Sequence, residues 1–295
     1  MPHPKLRFAI FGNTYQPKKS SAINKILSCL DGLGAEILID GEFHSFLAER
    51  QLPGLDSCKV FHGDDFDADF VISMGGDGTF LRSAARVGIK NIPILGVNIG
   101  RLGFLADITP NEIESCLRSL CDGDYQVYDR EVIEVGVEGG EIKGCRYALN
   151  DVAVLKRDNA SMITISASVD GEHLITYQAD GVIMSTPTGS TAYSLSNGGP
   201  IIVPGTKVFS LTAVAPHSLN VRPIVLSDTA EVTLKVESRS HNFLLAIDGR
   251  SEKMTDGSLV TLKRAPYDIH IVKRNGERYF NTLKEKMMWG VDARE

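Results

Sequence analysis

Val71-Ile-Ser-Met-Gly75-Gly76-Asp77-Gly78-Thr79-Phe80-Leu81-Arg82 decides the reading of this chain. An apolar run stops at two glycines, an acid and a third glycine follow, and Thr79 opens a helical stretch. A strand that turns through glycines into a helix is the repeating unit of an α/β domain. Glycines let backbone N–H groups approach a phosphate closely, and a helix start adds partial positive charge. Gly75, Gly76 and Gly78 thus form a candidate anion cradle, with Arg82 one turn into the helix as a phosphate partner. Asp77 is the odd member, because a carboxylate repels an anion. It fits there if it accepts a proton from a hydroxyl, or organises a metal, beside the phosphates. The plainer alternative is that Asp77 caps the helix. The spacing matches neither the P-loop nor the G-x-G-x-x-G dinucleotide fingerprint.

Working outward, the first part of the chain alternates between two periods. Leu6–Phe11 reads as a buried strand, Ser20–Leu33 as a helix with Ile23, Ile26, Leu27 and Leu30 on one face, and Ala35–Ile39 as a second strand. Phe70–Met74 and Ile92–Val97 are further strands, and the helices Thr79–Val87 and Asn111–Cys121 follow them. Alternation of this kind predicts an α/β domain with a parallel sheet, assigned to residues 1–124. Cys116 and Cys121 are read as packing residues of the last helix. From residue 125 the texture changes. Stretches such as Ile163–Val169, Val208–Val214 and Ala230–Val236 alternate polar and apolar residues between Asp-Gly turns. That pattern predicts an antiparallel β-sandwich over 125–278. Tyr279–Trp289 has helical spacing, so 279–295 is expected to return to the first domain.

Composition removes several classes. Of 295 residues, 43% are hydrophobic and 23% charged, which argues against disorder, collagen or coiled coil for the whole chain. The net charge of −6 argues against a nucleic-acid partner. No apolar run reaches the length of a transmembrane helix, so no membrane span is expected. The 5 cysteines lack a C-x-x-C pair and read as reduced thiols of a cytoplasmic protein. The 7 histidines include no H-E-x-x-H, and no protein-ligated metal is assigned.

Three further segments carry chemistry. Asn150-Asp151 precedes the strand-like Val152–Leu155; an amide and a carboxylate can read a base edge or a ribose diol, or simply make a turn. Asp180-Gly-Val-Ile-Met-Ser-Thr-Pro-Thr-Gly-Ser-Thr-Ala-Tyr-Ser-Leu-Ser196-Asn-Gly-Gly-Pro200 packs hydroxyls at Thr186, Thr188, Ser190, Thr191, Ser194 and Ser196 among glycines. Such a segment can line a sugar-phosphate pocket without adding charge, and Tyr193 offers a flat face for a ring. Asn98–Ala106 follows the strand after the glycine turn.

Together with Gly75–Thr79, these segments, in this order, resemble the NAD kinase family. The resemblance runs from about residue 70 to about 250. It implies a Rossmann-like α/β domain followed by a β-sandwich, a homo-oligomer (dimer or tetramer), and NAD and ATP as substrates with Mg2+. The implied reaction moves the γ-phosphoryl of ATP to the 2′-hydroxyl of the adenosine ribose of NAD, with Asp77 as general base. It further implies that Asn150, Asp151, Asp180, Thr191, Ala192, Tyr193, Ser194, Leu195 and Ser196 contact the dinucleotide. The chain departs from the pattern in three places: Asp151 stands for the commoner Glu, Gln178 for a basic residue, and Arg250 for Gln. Arg250 can grip a phosphate by a bidentate contact. A kinase with a lipid acceptor and a non-enzymatic dinucleotide sensor are the rival readings. Phe80-Leu-Arg-Ser-Ala-Ala85 lacks the Asn-Glu pair of the lipid kinases.

Overall fold

The computed structural model describes residues 5–14, 20–100, 103–158, 161–273 and 279–288. Arg101 and Leu102 of the Asn98–Ala106 segment, the N-terminal residues 1–4 and the end of the expected return, 289–295, lie outside these. The chain forms two compact units, one of Met1–Asp129 with Ile269–Glu295 and one of Arg130–Asp268.

The first unit begins with β1 (Arg7–Gly12), α1 (Ser20–Gly32), β2 (Glu36–Asp40), α2 (Gly41–Ala48) and β3 (Lys59–Phe61). It continues through β4 (Phe70–Gly75), α3 (Asp77–Val87), β5 (Ile94–Asn98), α4 (Ile113–Cys121) and β6 (Gln126–Arg130). β1, β4 and β5 are buried over almost their whole length, as strands covered on both faces must be. Ile23, Ile26, Leu27 and Leu30 of α1 and Ile113, Cys116, Leu117 and Leu120 of α4 join the same apolar cluster. The sequence reading has no counterpart for α2, which starts at a glycine and is capped by Asp40 accepting from the Phe43 N–H at 3.4 Å.

The second unit is all β. It holds β7 (Ile133–Glu138), β8 (Tyr147–Ala148), β9 (Asp151–Lys156), β10 (Ile163–Val169), β11 (Glu172–Ala179) and β12 (Gly181–Ser185). After a one-turn helix, α5 (Tyr193–Ser196), come β13 (Val208–Val214), β14 (Ile224–Ser227), β15 (Val232–Glu237), β16 (Asn242–Ile247), β17 (Arg250–Thr255) and β18 (Leu259–Arg264). Two six-stranded sheets result, ordered β11-β10-β15-β18-β7-β8 and β14-β13-β12-β9-β16-β17. Ile165 and Val260 of one sheet and Val154, Val182 and Phe243 of the other enter one apolar core, which makes the unit a sandwich.

The return to the first unit starts earlier than the sequence reading placed it. β19 (Ile269–Lys273) pairs parallel with β5 through Ile271 and Ile94, and α6 (Tyr279–Met287) follows. The first sheet therefore has seven strands in the order β3-β2-β1-β4-β5-β19-β6. Strand order reverses between β1 and β4, whose register pairs Gly12 with Met74. Open α/β sheets bind ligands at such a reversal, beyond the carboxyl ends of the strands. The Gly75–Gly78 turn sits there.

Candidate functional site

In the first unit the chain leaves β4 at Gly75, passes the extended Gly76 and enters α3 at Asp77. Gly76 is the N-cap and no side chain caps the helix, so Asp77 is not the cap that the plainer sequence alternative made it. Its carboxylate turns instead to the loop after β5. Oδ2 accepts from the Phe104 N–H at 2.8 Å, and Oδ1 accepts from the N–H groups of Leu105 and Ala106, both at 3.0 Å. A Cβ on Gly103 would lie 1.9 Å from Asp77 Oδ1, so that approach requires glycine.

The cradle glycines divide by what surrounds them. Gly75 is closed, since a Cβ there would meet Thr79 Oγ1 at 2.2 Å. Around Gly76 and Gly78 a Cβ would meet nothing within 4 Å. The space is open beside N–H groups that have no acceptor within the helix. Thr79 is buried, and its hydroxyl accepts from the exposed Arg82 guanidinium at 3.3 Å. The arrangement offers donors, a helix start and a cation to an anion.

In the second unit Asn150 and Asp151 stand where the chain enters β9. Asp248, between β16 and β17, fixes that entry. Its carboxylate accepts from the N–H groups of Leu149 and Asn150 at 2.8 Å and of Asp151 at 3.2 Å. Asp248 adopts φ +47°, in the left-handed region, and its own N–H donates to the Asp151 carbonyl at 3.0 Å. Burial, with the Asp248 charge added, pushes the Asp151 carboxyl up to about 7. Burial also raises Asp248, against the pull of its three N–H donors and Arg250. The sequence reading registered Asp248-Gly249 only as a turn. Its carboxylate partners lie about a hundred residues away in the chain.

The hydroxyl-rich segment folds against Asn150. Thr186 Oγ1 donates to the Leu149 carbonyl at 2.6 Å, and a Cβ on Gly189 would lie 2.1 Å from the Asn150 carbonyl oxygen. Ser190 Oγ bonds the Pro187 and Ile202 carbonyls, and Ser194 Oγ pairs with Thr212 at 3.2 Å. Thr186, Ser190 and Ser194 are therefore committed to the fold rather than displayed. Thr191, Ala192 and Leu195 are half-buried, while Tyr193 and Ser196 are exposed. Asn150 Oδ1 and Thr188 Oγ1 are buried without a hydrogen-bond partner among the described residues. Asp180 pairs with Lys156 at 2.7 Å, a partner that sequence reading missed. Arg250 donates from Nε to the Ile247 carbonyl at 3.2 Å and from Nη2 to the Tyr147 carbonyl at 3.1 Å. Gln178 is exposed. Among the described residues no group of three or more His, Cys, Asp or Glu could hold a metal ion.

Residues 12–125 match the family model described as the ATP-NAD kinase N-terminal domain, and residues 149–274 the ATP-NAD kinase C-terminal domain. An NAD kinase of Bacteroides fragilis is 54% identical over 98% of this chain and 100% of its own length. An NAD kinase of Porphyromonas gingivalis is 42% identical over 98% of this chain and 99% of its own. Among solved structures, an Archaeoglobus fulgidus NAD kinase in complex with ATP aligns at a TM-score of 0.73 with 26% identity, over 96% of this chain and 99% of its own. Yeast NADH kinase complexed with NADH shares the fold, at a TM-score of 0.87 and 22% identity, over 99% of this chain and 90% of its own.

Proposed function

The chain belongs to the NAD kinase family, and from that premise we propose how its residues carry the reaction. The activity is transfer of the γ-phosphoryl of ATP to the 2′-hydroxyl of the adenosine ribose of NAD, giving NADP. The relatives described above give neither a lipid acceptor nor a non-enzymatic sensor any support.

Phosphoryl transfer asks the protein for positioning, charge neutralisation and removal of the acceptor proton. The N–H groups at Gly76–Gly78, the start of α3 and Arg82 hold ATP phosphates. Asp77 takes the proton of the 2′-hydroxyl as the new P–O bond forms. The observation that carries this role is the carboxylate's hydrogen bonding. Oδ1 accepts two N–H bonds and Oδ2 one, which leaves a lone pair on Oδ2 for the proton. A carboxylate fixed by main-chain donors needs no rearrangement to act. Asn150, Asp151, Asp180, Thr191, Ala192, Tyr193, Leu195 and Ser196 bind NAD, with the exposed Tyr193 ring as a stacking face, while the buried Ser194 braces the segment through Thr212. Arg250 retains guanidinium donors beyond the two it gives to carbonyls, and these suit a phosphate. Mg2+ carried by ATP would supply charge neutralisation, with the phosphates and water as its main ligands and at most one or two protein carboxylates beside them. The protein acts in the cytoplasm as a homo-oligomer, a dimer or tetramer. Light scattering that finds only the monomer overturns the assembly.

The test is a coupled assay of NADP formation from NAD, ATP and magnesium. Asp77→Asn is expected to lower turnover by about two to three orders of magnitude at unchanged melting temperature. Turnover within a few-fold of the parent removes Asp77 as the base. Folded protein that binds NAD but makes no NADP overturns the enzymatic reading.

A further inference from the structure

We infer that the C-terminal return of the chain, β19 and α6, positions Asp77 by gripping the loop that supplies its three hydrogen-bond donors. The inference rests on Asp77 as the base. Phe104, Leu105 and Ala106 are consecutive, so a shift of their loop moves the carboxylate with it. A bond from the Gly103 N–H to the Ala106 carbonyl at 3.2 Å closes the loop. Main-chain bonds tie its far end to β5, from Ile108 N–H to the Gly96 carbonyl at 3.2 Å and from Asn98 N–H to the Ile108 carbonyl at 2.8 Å.

The returning segment holds both sides of the donor run. Lys273, at the end of β19, forms an ion pair with Asp107, and the two side chains are only 13% and 8% exposed. Asp107 Oδ1 has no hydrogen-bond partner among the described residues, so this carboxylate depends on Lys273 for compensation. A buried pair of this kind is costly to open, because opening strands a charge away from water. Lys286 of α6 sits over the Phe104 ring, 4.3 Å from its centroid. A cation over a ring face is attracted by the ring quadrupole and fixes the ring from one side. Residues 104 and 107 are thus both clamped by side chains from beyond residue 268. Neither lysine is assigned a contact with substrate. Both are positioning residues, and misplacement of a reacting group by 1 Å can lower a rate by about a hundredfold.

Lys286 is the residue to test, since it is half-buried and its removal leaves the Lys273–Asp107 pair intact. Kinetics would be measured for Lys286→Ala, Lys286→Arg, Phe104→Leu and the Lys286→Ala/Phe104→Leu double variant, with Asp77→Asn as reference. Lys286→Ala is expected to lower kcat by about tenfold to a hundredfold, with KM for NAD and ATP within about twofold and melting temperature unchanged. Lys286→Arg is expected to restore most of kcat, since Arg also stacks on aromatic faces. The double variant is expected to be no slower than Phe104→Leu alone. Hydrogen exchange at the amides of Phe104, Leu105 and Ala106 should speed up in Lys286→Ala. Parental kcat and exchange in Lys286→Ala, beside an inactive Asp77→Asn, overturn the inference and leave the base role standing. Additive losses in the double variant overturn it as well. An active Asp77→Asn overturns the base role first and the inference with it.

Discussion

The buried Asp151 and the half-buried Asp248 are two carboxyl groups on hydrogen-bonded stretches of main chain, and only one of them is well solvated by protein. Asp248 has three N–H donors, while Asp151 is buried beside the Asp248 charge. The sign of the consequence follows from its raised value, about 7 in the fold against 3.8 for the free residue. Between those values the folded chain holds a proton that the unfolded chain does not. The stability from this proton is complete below the lower value and is lost as pH rises through the upper one. Between pH 5 and pH 8 the thermal midpoint of the parent should therefore fall relative to that of Asp151→Asn, narrowing any gap by which the variant is less stable at pH 5. Parallel curves contradict the linkage. Gly103→Ala is the matching steric experiment: its Cβ displaces the Asp77 carboxylate and should lower kcat about as far as Asp77→Asn does, with binding of NAD retained. Asp77 was singled out by its sequence neighbours, Gly75, Gly76 and Gly78. Its donors, 27 to 29 residues onward, were not, because main-chain N–H groups carry no residue signature.

Strands and helices were legible in proportion to how uniformly they are buried. β1, β4 and β5 read as unbroken apolar runs, and β10 and β13 match their expected spans. β11 and β6 are largely exposed, so their sequences lack the alternation that marks a half-buried strand. β12 was hidden for another reason: it opens the motif whose glycines and hydroxyls drew a chemical reading. Much of that hydroxyl content serves local structure, joining the end of β12 to the entry of β9. Gly189 is the tightest point of that junction. Gly189→Ala pushes a methyl group against the Asn150 main chain, which cannot swing aside as a flexible side chain could, and overpacking of this kind costs about 1–3 kcal/mol. A melting temperature lower by several degrees, with weaker NAD binding by calorimetry, is the expected result. An unchanged melting curve would mean that the junction relaxes freely.

At the scale of the whole molecule, the two fold classes were legible and the point of return was not. Ile269-His-Ile-Val-Lys273 alternates like the strands of the sandwich that precede it, and nothing in its composition says that it leaves for a parallel sheet. Topology decides that, through its place between β5 and β6. An excised Arg130–Asp268 keeps both six-stranded sheets and their shared core, and it should unfold cooperatively with a β-type circular dichroism spectrum. A chain ending at Asp268 should fail differently, with the first unit losing a strand from inside its sheet and Asp107 losing its only described countercharge. The same interleaving sets an order of events during synthesis. The first unit leaves the ribosome first, yet its sheet stays open until Ile269–Lys273 emerges, 140 residues after Asp129. At about 5–20 residues per second the gap lasts roughly 7–28 s, during which the sandwich has time to close. The part of the enzyme begun first is finished last, and a messenger truncated near its 3′ end yields a chain whose first sheet lacks an inner strand.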